Sequence, residues 1–447
     1  MVDILILGAT GFTGRLITRY LYNHPQRSSF TLAVGARSKA KLDALKASLR
    51  LDDSVLLVQV DVTRRAEVED AVRQAHVVIN AVGPYWRWGT SVVRACAHFG
   101  KHYVDLTGEP PFIQRIINKY DYLATKTGAL IVPSCGFDCI PPDILVFLAN
   151  RTLKSSLGPT AQLGLSQTFY DAPLGMSGGS ASTIVAMFEE VPRARIEDSR
   201  RDYALSPSSG APSPRPRLVY TIPFSSPTQF AGFWPLVAVN RAIVQRTFGL
   251  HEFAALNCHA RYGELRAAEK EAEARLLTYG PNFTYEEGTV LRIPGQVPAV
   301  LYSIVAMVVG VLLSTFAPVG GARWLFKKLA SQPGEGPSDE TMQKGYLEAT
   351  NYTWSASEDD KPKTVVKTVM HGRGDPGYLL SAVMISECAL ALLLDKASLP
   401  TFAQGGGVLT PASAFGEVLV KRLEASGRMH FESAVVQDGQ TEGRKAR

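Results

Sequence analysis

Six short apolar runs separated by helical patterns fill the first 150 residues, and few folds accommodate that rhythm. The runs are residues 3–8, "FTLAVGAR", "SVLLVQVDV", "HVVINAVGP", "HYVDLTG" and "ALIVPSCG". Between them lie Phe12–Leu21, a segment from Ser38 to Leu49 with Ser38 as N-cap, "RRAEVEDAVRQA", and Thr90–Phe99. Strands alternating with helices of this length form βαβ crossovers on a parallel sheet. The strands are apolar almost throughout, as expected where helices cover both faces. The chain is therefore expected to be α/β, with a Rossmann-type doubly wound sheet over residues 1–150.

Gly8-Ala-Thr10-Gly11-Phe12-Thr13-Gly14 stands where the first strand turns into the first helix. Glycine is needed there because backbone must approach a pyrophosphate closely, and the helix N-terminus offers free N–H groups and partial positive charge. Sites that take NAD place a carboxylate at the end of the second strand. Here Arg37 stands near that place, followed by Ser38, Lys39 and Lys41, with no carboxylate before Asp43. A guanidinium suits a 2′-phosphate, so the expected cofactor is NADP. Asp61, after the third strand, is expected near the adenine or as a cap. Asn80, Val82 and Gly83 end the fourth strand, where the nicotinamide half belongs.

The 447 residues are enough for two or three domains. The substrate domain is expected over 151–375 and C-terminal helices over 376–436, with a disordered tail at 437–447. "SPSSGAPSPRPR" (206–217) reads as a linker with too little apolar surface to order itself. "EKEAEARLL" reads as a solvated helix, "SQPGEGPSDE" as an exposed loop, and 352–371 as two strands around a polar turn. "GYLLSAVMISECALALLLD" reads as a buried helix. The net charge of +6 is scattered along the chain, which argues against nucleic acid. Five cysteines without close pairing, and no basic leader at the N-terminus, argue for reduced thiols and against secretion. Cys135 and Cys139 lack companions for a metal site, so no metal is expected.

One segment stands apart. No charged residue occurs from 293 to 322, and Pro298 and Pro318 bracket nineteen residues. As a helix those would measure about 28 Å, close to the ~30 Å of bilayer hydrocarbon. Trp324, Phe326, Lys327 and Lys328 follow, residue types that anchor at a membrane interface.

"GATGFTG", "VVINAVGPY" (77–85), "YVDLTGE" (103–109), "CGFDCIPPD" (135–143), "DPGYLLSAVMISECALAL" and "GGGVLTPASAFG" (405–416) carry a likeness. In these motifs the chain resembles the saccharopine dehydrogenase-like oxidoreductases, including the trans-acting enoyl reductases of polyketide and lipid pathways. Between 152 and 347 the match is loose apart from "SGGSAST". The resemblance implies a Rossmann domain, an α/β substrate domain, and C-terminal helices that return to the first domain. A single membrane crossing at 293–322 would strand those helices on the wrong side. The segment is therefore expected either to be buried or to dock on a membrane or lipid droplet at its cytoplasmic side, and docking is the preferred reading.

Together these features suggest an NADPH-dependent reductase of a conjugated double bond in a lipid or polyketide. Tyr85 is the candidate hydrogen-bond or proton donor, or alternatively a ring packed over the cofactor. Asp138 would position substrate or cap the helix that begins at Pro141-Pro142, and Asp105 and Glu109 would order the loop after the fifth strand. Cys135 and Cys139 would be buried thiols. Two other readings stay open, a membrane-associated nucleotide-binding protein without turnover and an imine reductase whose "SGGSAST" helix start binds a carboxylate. A homodimer is compatible with the sequence.

Overall fold

The computed structural model describes residues 1–173, 183, 186–257, 264–291, 293, 295–316, 336–356 and 363–436. The tail expected at 437–447, the interfacial residues Trp324, Phe326, Lys327 and Lys328, the first half of the 331–340 loop, and "SGGSAST" apart from Thr183 lie outside the described residues.

Strands β1 (Val2–Leu7), β2 (Leu32–Ala36), β3 (Val55–Gln59), β4 (Ala75–Asn80), β5 (His102–Asp105) and β6 (Leu130–Val132) alternate with five helices. These are α1 (Phe12–Tyr22), α2 (Lys39–Leu49), α3 (Arg65–Arg73), α4 (Tyr85–Phe99) and α5 (Pro110–Thr127). The strands are parallel in the order β3-β2-β1-β4-β5-β6, the doubly wound arrangement expected. A two-residue strand from the far end of the chain, β13 (Gly407–Val408), extends the sheet beside β6. The inner strands β1, β2, β4 and β5 are buried almost throughout, whereas edge strand β3 exposes Leu56.

Ser38 caps α2 as expected, accepting from Lys41 N. Helix α4 starts five residues earlier than the sequence suggested. Its cap comes from a distant residue: the Glu109 carboxylate accepts from Tyr85 N at 2.8 Å and from Trp86 N at 2.7 Å. Local pattern cannot reveal a cap of that kind.

The second sheet contains β7 (Leu163–Asp171), β8 (Val219–Thr221), β9 (Phe230–Phe233), β10 (Thr284–Val290), β11 (Tyr346–Ser355), β12 (Val365–Arg373) and β14 (Met429–Val435). Its order is β14-β12-β11-β7-β10-β9-β8, antiparallel except between β7 and β10. Helices α6 (Ile140–Leu157), α7 (Arg193–Ser199), α8 (Val237–Leu256), α9 (Glu264–Leu277) and α10 (Gln296–Phe316) belong to this half. Helix α6 packs on β11, β12 and β14, α8 on β10, and α10 on β8 and β9.

The chain then returns. After a short helix, α11 (Asp339–Lys344), and the strands β11 and β12, α12 (Ser381–Leu394) packs against α1, β4 and β5 of the first sheet. Helices α13 (Pro411–Phe415) and α14 (Glu417–Ala425) follow, and the region expected to be helical ends in strand β14 of the second sheet. Residues 206–217 differ from the expected free linker. Tyr203 Oη donates to Ala211 O, Ser213 N donates to Asp202, and Tyr285 N donates to Ser213 Oγ. Hydrogen bonding, which apolar content does not register, ties the segment down.

Candidate active site

The glycine turn shows why each glycine is there. Gly8 has φ of +80°, and a Cβ on it would lie 2.9 Å from Ala81 O. A Cβ on Gly14 would lie 2.2 Å from Gly8 O, and one on Gly11 3.3 Å from the same oxygen. Helix α1 starts after Gly11 with no side-chain cap and no acidic residue in its first turn. Its leading N–H groups, near Thr10, Phe12 and Thr13, are thus left for an anion. Phe12 packs edge-on against Tyr378 at 5.2 Å, fixing the turn to the returning C-terminal segment. The turn lies beside β1, whose neighbours β2 and β4 lead the chain in opposite directions, the crevice where open α/β sheets bind ligands.

At the β2 end of the crevice Arg37 is exposed and its carbonyl accepts from Gln59 Nε2 at 3.2 Å. Asp61 lies close enough that the Arg37 charge acts on it. Two hydrogen bonds from Thr63, through N and Oγ1, hold the Asp61 carboxyl below its usual range. Asp61 therefore closes the turn before α3 through its own side chain. This edge of the crevice is cationic and open, as a 2′-phosphate requires.

At the β4 end the loops after β4, β5 and β6 are locked together. Asn80 Nδ2 donates to Tyr103 Oη at 3.1 Å, Val82 N donates to Asn80 Oδ1 at 3.1 Å, and Tyr103 Oη donates to Asp105 Oδ2 at 2.7 Å. Asp105 Oδ1 accepts from Thr107 N and from Ser134 N, both at 2.9 Å. Asp105 thus orders its loop as expected, while Glu109 works across space as the cap of α4. Burial pushes the Asp105 carboxyl up to about 6 and Glu109 to about 7.

The two catalytic candidates sit differently from each other. Tyr85 is buried, its hydroxyl donates to Asn80 O at 3.1 Å, and it accepts from Leu106 N at 3.2 Å. Burial raises the phenol well above its ordinary range. Its proton is committed to the backbone, so the geometry gives Tyr85 a positioning role rather than that of a donor to substrate. Asp138 is half-buried, with its carboxyl pushed up to about 6 by burial. It does not cap α6, whose N-cap, Cys139, makes no side-chain cap hydrogen bond. Instead Asp138 Oδ2 faces Gly108, 3.2 Å from where a Cβ would stand. Cys135 and Cys139 are buried, and burial drives both thiols well above their usual range, as inert thiols require.

Thr183, the last residue of the "SGGSAST" stretch, has its Oγ1 3.5 Å from where a Cβ on Gly83 would stand, so the second half of the chain reaches the loop after β4. Sequence reading missed one contributor. Glu287, on β10, is buried and accepts three hydrogen bonds, from Tyr170, Tyr285 and Asn240. The available signal was "YEEGTV": two adjacent glutamates in a strand cannot both face solvent.

The doubly wound sheet, the close-approach glycine cradle and the cationic edge at Arg37 define an NADP-dependent oxidoreductase. Residues 4–132 match the saccharopine dehydrogenase NADP binding domain. Over 441 residues, 95% of this chain and 96% of the relative, the sequence is 30% identical to a trans-acting enoyl reductase of Mycobacterium tuberculosis. It is likewise 30% identical over 443 residues to the trans-acting enoyl reductase of Mycobacterium ulcerans. The fold resembles the saccharopine dehydrogenase (L-Glu forming) of Saccharomyces cerevisiae, with a TM-score of 0.51 at 13% identity over 98% of this chain and all of that one. The chain belongs to the saccharopine dehydrogenase-like family that includes these trans-acting enoyl reductases.

Proposed function

We propose that this oxidoreductase reduces a conjugated carbon–carbon double bond in a lipid or polyketide acyl substrate while docked on a membrane or lipid droplet, facing the cytoplasm. The chemistry rests on whole-length similarity to relatives named trans-acting enoyl reductase, combined with the cofactor cradle. Bound NADPH supplies the hydride. The chain's own residues hold and orient: the Gly8–Gly14 turn admits the pyrophosphate, and Arg37 receives the 2′-phosphate. The network of Asn80, Tyr103, Asp105 and Tyr85 fixes the loops against which the nicotinamide rests.

One observation supports docking and a greasy substrate together. Helix α10 leaves Val297, Leu301, Val305, Val308, Val311 and Leu312 exposed, in a stretch with no charged residue from 293 to 322. Exposed apolar surface of that extent marks an interaction site. A lipid surface fits it better than a protein groove because the helix is apolar on every side that leaves the sheet.

NADPH oxidation by the purified protein, with lipid enoyl thioesters in detergent, tests the chemistry. The expected result is oxidation with these substrates and, in Arg37→Glu, NADPH binding weakened by at least about tenfold, since an ionic hydrogen bond to phosphate is replaced by repulsion. NADPH bound without oxidation of any enoyl thioester would overturn the reductase reading.

A further inference from the structure

The second sheet has one face where polar side chains stand in a row beneath helices. Thr368 on β12, Asn351 on β11, Thr168 on β7 and Glu287 on β10 are successive register partners, so their side chains share a face. All four are buried. Asn351 Nδ2 donates to Thr168 Oγ1 at 3.0 Å and to Ser166 Oγ at 2.8 Å, and Thr368 Oγ1 pairs with Ser433 Oγ at 2.9 Å. A buried polar row is costly unless its members are paired, and along most of its length they are.

The exception lies at Glu287. Glu287 Oε2 accepts from Tyr170 Oη at 3.0 Å, Asn240 Nδ2 at 3.0 Å and Tyr285 Oη at 3.1 Å. Its other oxygen, Oε1, is buried and has no hydrogen-bond partner among the described residues. The same holds for Trp234 Nε1. Strand β9 ends at Phe233, opposite Gly288, and Trp234 is the next residue; the Tyr170 that donates to Glu287 links it to that carboxyl. The indole stacks on the Tyr170 ring at 4.5 Å. Two residues that share Tyr170 as a neighbour thus each leave one polar atom unsatisfied, and Glu287 and Trp234 are only 1% and 2% exposed.

Their location joins them to the active site. Phe137 packs edge-on against both Trp234 and Tyr170, with ring centroids 6.3 Å apart in each case. Phe137 is carried by the loop after β6, next to Asp138, and that loop is pinned to Asp105 through Ser134 N. The unpaired atoms therefore lie one aromatic layer from the loops that frame the nicotinamide end.

We propose that Glu287 Oε1 and Trp234 Nε1 receive the carbonyl oxygen of the acyl substrate, an inference that rests on the reductase reading above. With three donors already on Oε2, the acid proton of Glu287 belongs on Oε1, where it is a hydrogen-bond donor alongside the indole N–H. Addition to the β-carbon of a conjugated thioester moves negative charge onto the carbonyl oxygen, and two fixed donors in a dry site stabilise that charge. Burial pushes the Glu287 carboxyl up to about 7, so the proton is present below that pH and is lost above it. The groups facing it are Tyr170 from β7, Tyr285 from its own strand, Asn240 and Arg241 from α8, and Cys139 at the start of α6. Burial raises Tyr170, Tyr285 and Cys139 well above their ordinary values, so they keep their protons near pH 7, and the Arg241 charge works in the opposite direction on Glu287.

The test is binding rather than turnover. A saturated dodecanoyl-pantetheine thioester and its thioether counterpart, which lacks the carbonyl oxygen, are titrated onto the NADP⁺-loaded protein between pH 6 and 8.5. The wild type is expected to prefer the thioester by about tenfold at pH 6 and to lose most of that preference by pH 8.5, as the donor is lost. Glu287→Gln keeps a donor that cannot ionise, so its preference should be independent of pH. Trp234→Phe should lower the preference several-fold at every pH, with NADPH affinity and melting temperature retained in both variants. No preference for the thioester in the wild type, no thioester binding at all, or the same pH dependence in Glu287→Gln would overturn the proposal. A clear preference without NADPH oxidation by any enoyl thioester would instead remove the reductase reading and leave carbonyl recognition standing.

Discussion

Two helices of nearly the same apolar character meet opposite fates in this molecule. Helix α12 carries "SAVMISECALALLL" and is buried from Ser381 to Leu392, wedged between α1, β4, β5 and α14. Helix α10 carries "AVLYSIVAMVVGVLLSTF" and touches the sheet along a narrow stripe at Ala299 and Ser303, both fully buried. There Phe233 N donates to Ser303 Oγ at 2.8 Å, and that hydroxyl in turn is 2.6 Å from Leu218 O. Away from the stripe, Val297 is 69% exposed and Val305 and Val311 each 61%. Composition alone does not distinguish a buried helix from one left exposed. Its neighbours do, and they belong to distant parts of the chain.

The comparison breaks most visibly under truncation of each helix. Leu390→Ala on α12 removes a fully buried side chain and should cost about 2–5 kcal/mol, read as a drop in the denaturation midpoint. On α10 the combined change of Leu301, Val305 and Val308 to Ser should leave stability within about 0.5 kcal/mol per site. The same triple variant should lose more than about 100-fold in affinity for phosphatidylcholine–phosphatidylserine vesicles in flotation, because three side chains no longer enter the lipid. If instead the triple variant unfolds readily and vesicle binding is unchanged, α10 is covered by protein and the two helices are alike after all.

How much of this was legible follows the distinction between local and distant partners. The first sheet was read strand by strand because its signals are local: apolar runs, the Ser38 cap, and the Gly8–Gly14 turn. Arg37 and Asp61 could be named as candidates because a dinucleotide crevice has fixed places along the first three strands. The start of α4 was missed because its cap, Glu109, lies on another loop. In the second sheet the three-residue β8 and four-residue β9 leave too little periodicity to detect. Glu287, Tyr170 and Trp234 meet only through sheet register, so no spacing in the sequence announced them. Tyr85 was singled out from its place just after the fourth strand. Its hydroxyl partners, Asn80 O and Leu106 N, could be known only from the fold.

The smallest effect concerns the one charge that α12 does carry. Glu387 is 2% exposed in the middle of an otherwise uncharged helix. Burial alone would raise its carboxyl, but hydrogen bonds from His24 Nε2 at 3.0 Å and Tyr20 Oη at 2.6 Å, with Arg422 Nη1 at 3.0 Å, outweigh it and hold the group below its usual range. A depressed folded value contributes stability above the unfolded pKa of about 4.3, and that contribution is lost as pH falls through the folded value. Glu387→Gln should therefore cost about 1–2 kcal/mol at pH 7, with the difference from wild type shrinking below about pH 4 in denaturant titrations. A difference that stays constant down to pH 3 would mean that packing, not charge, fixes this position. Because α1 and α14 bring these donors to it, α12 can hold a buried carboxylate and pin the cofactor helix to the C-terminal segment. Among the described residues helix α10 has no such neighbours on its outer faces, and a charge-free surface is what a helix needs if lipid is to take their place.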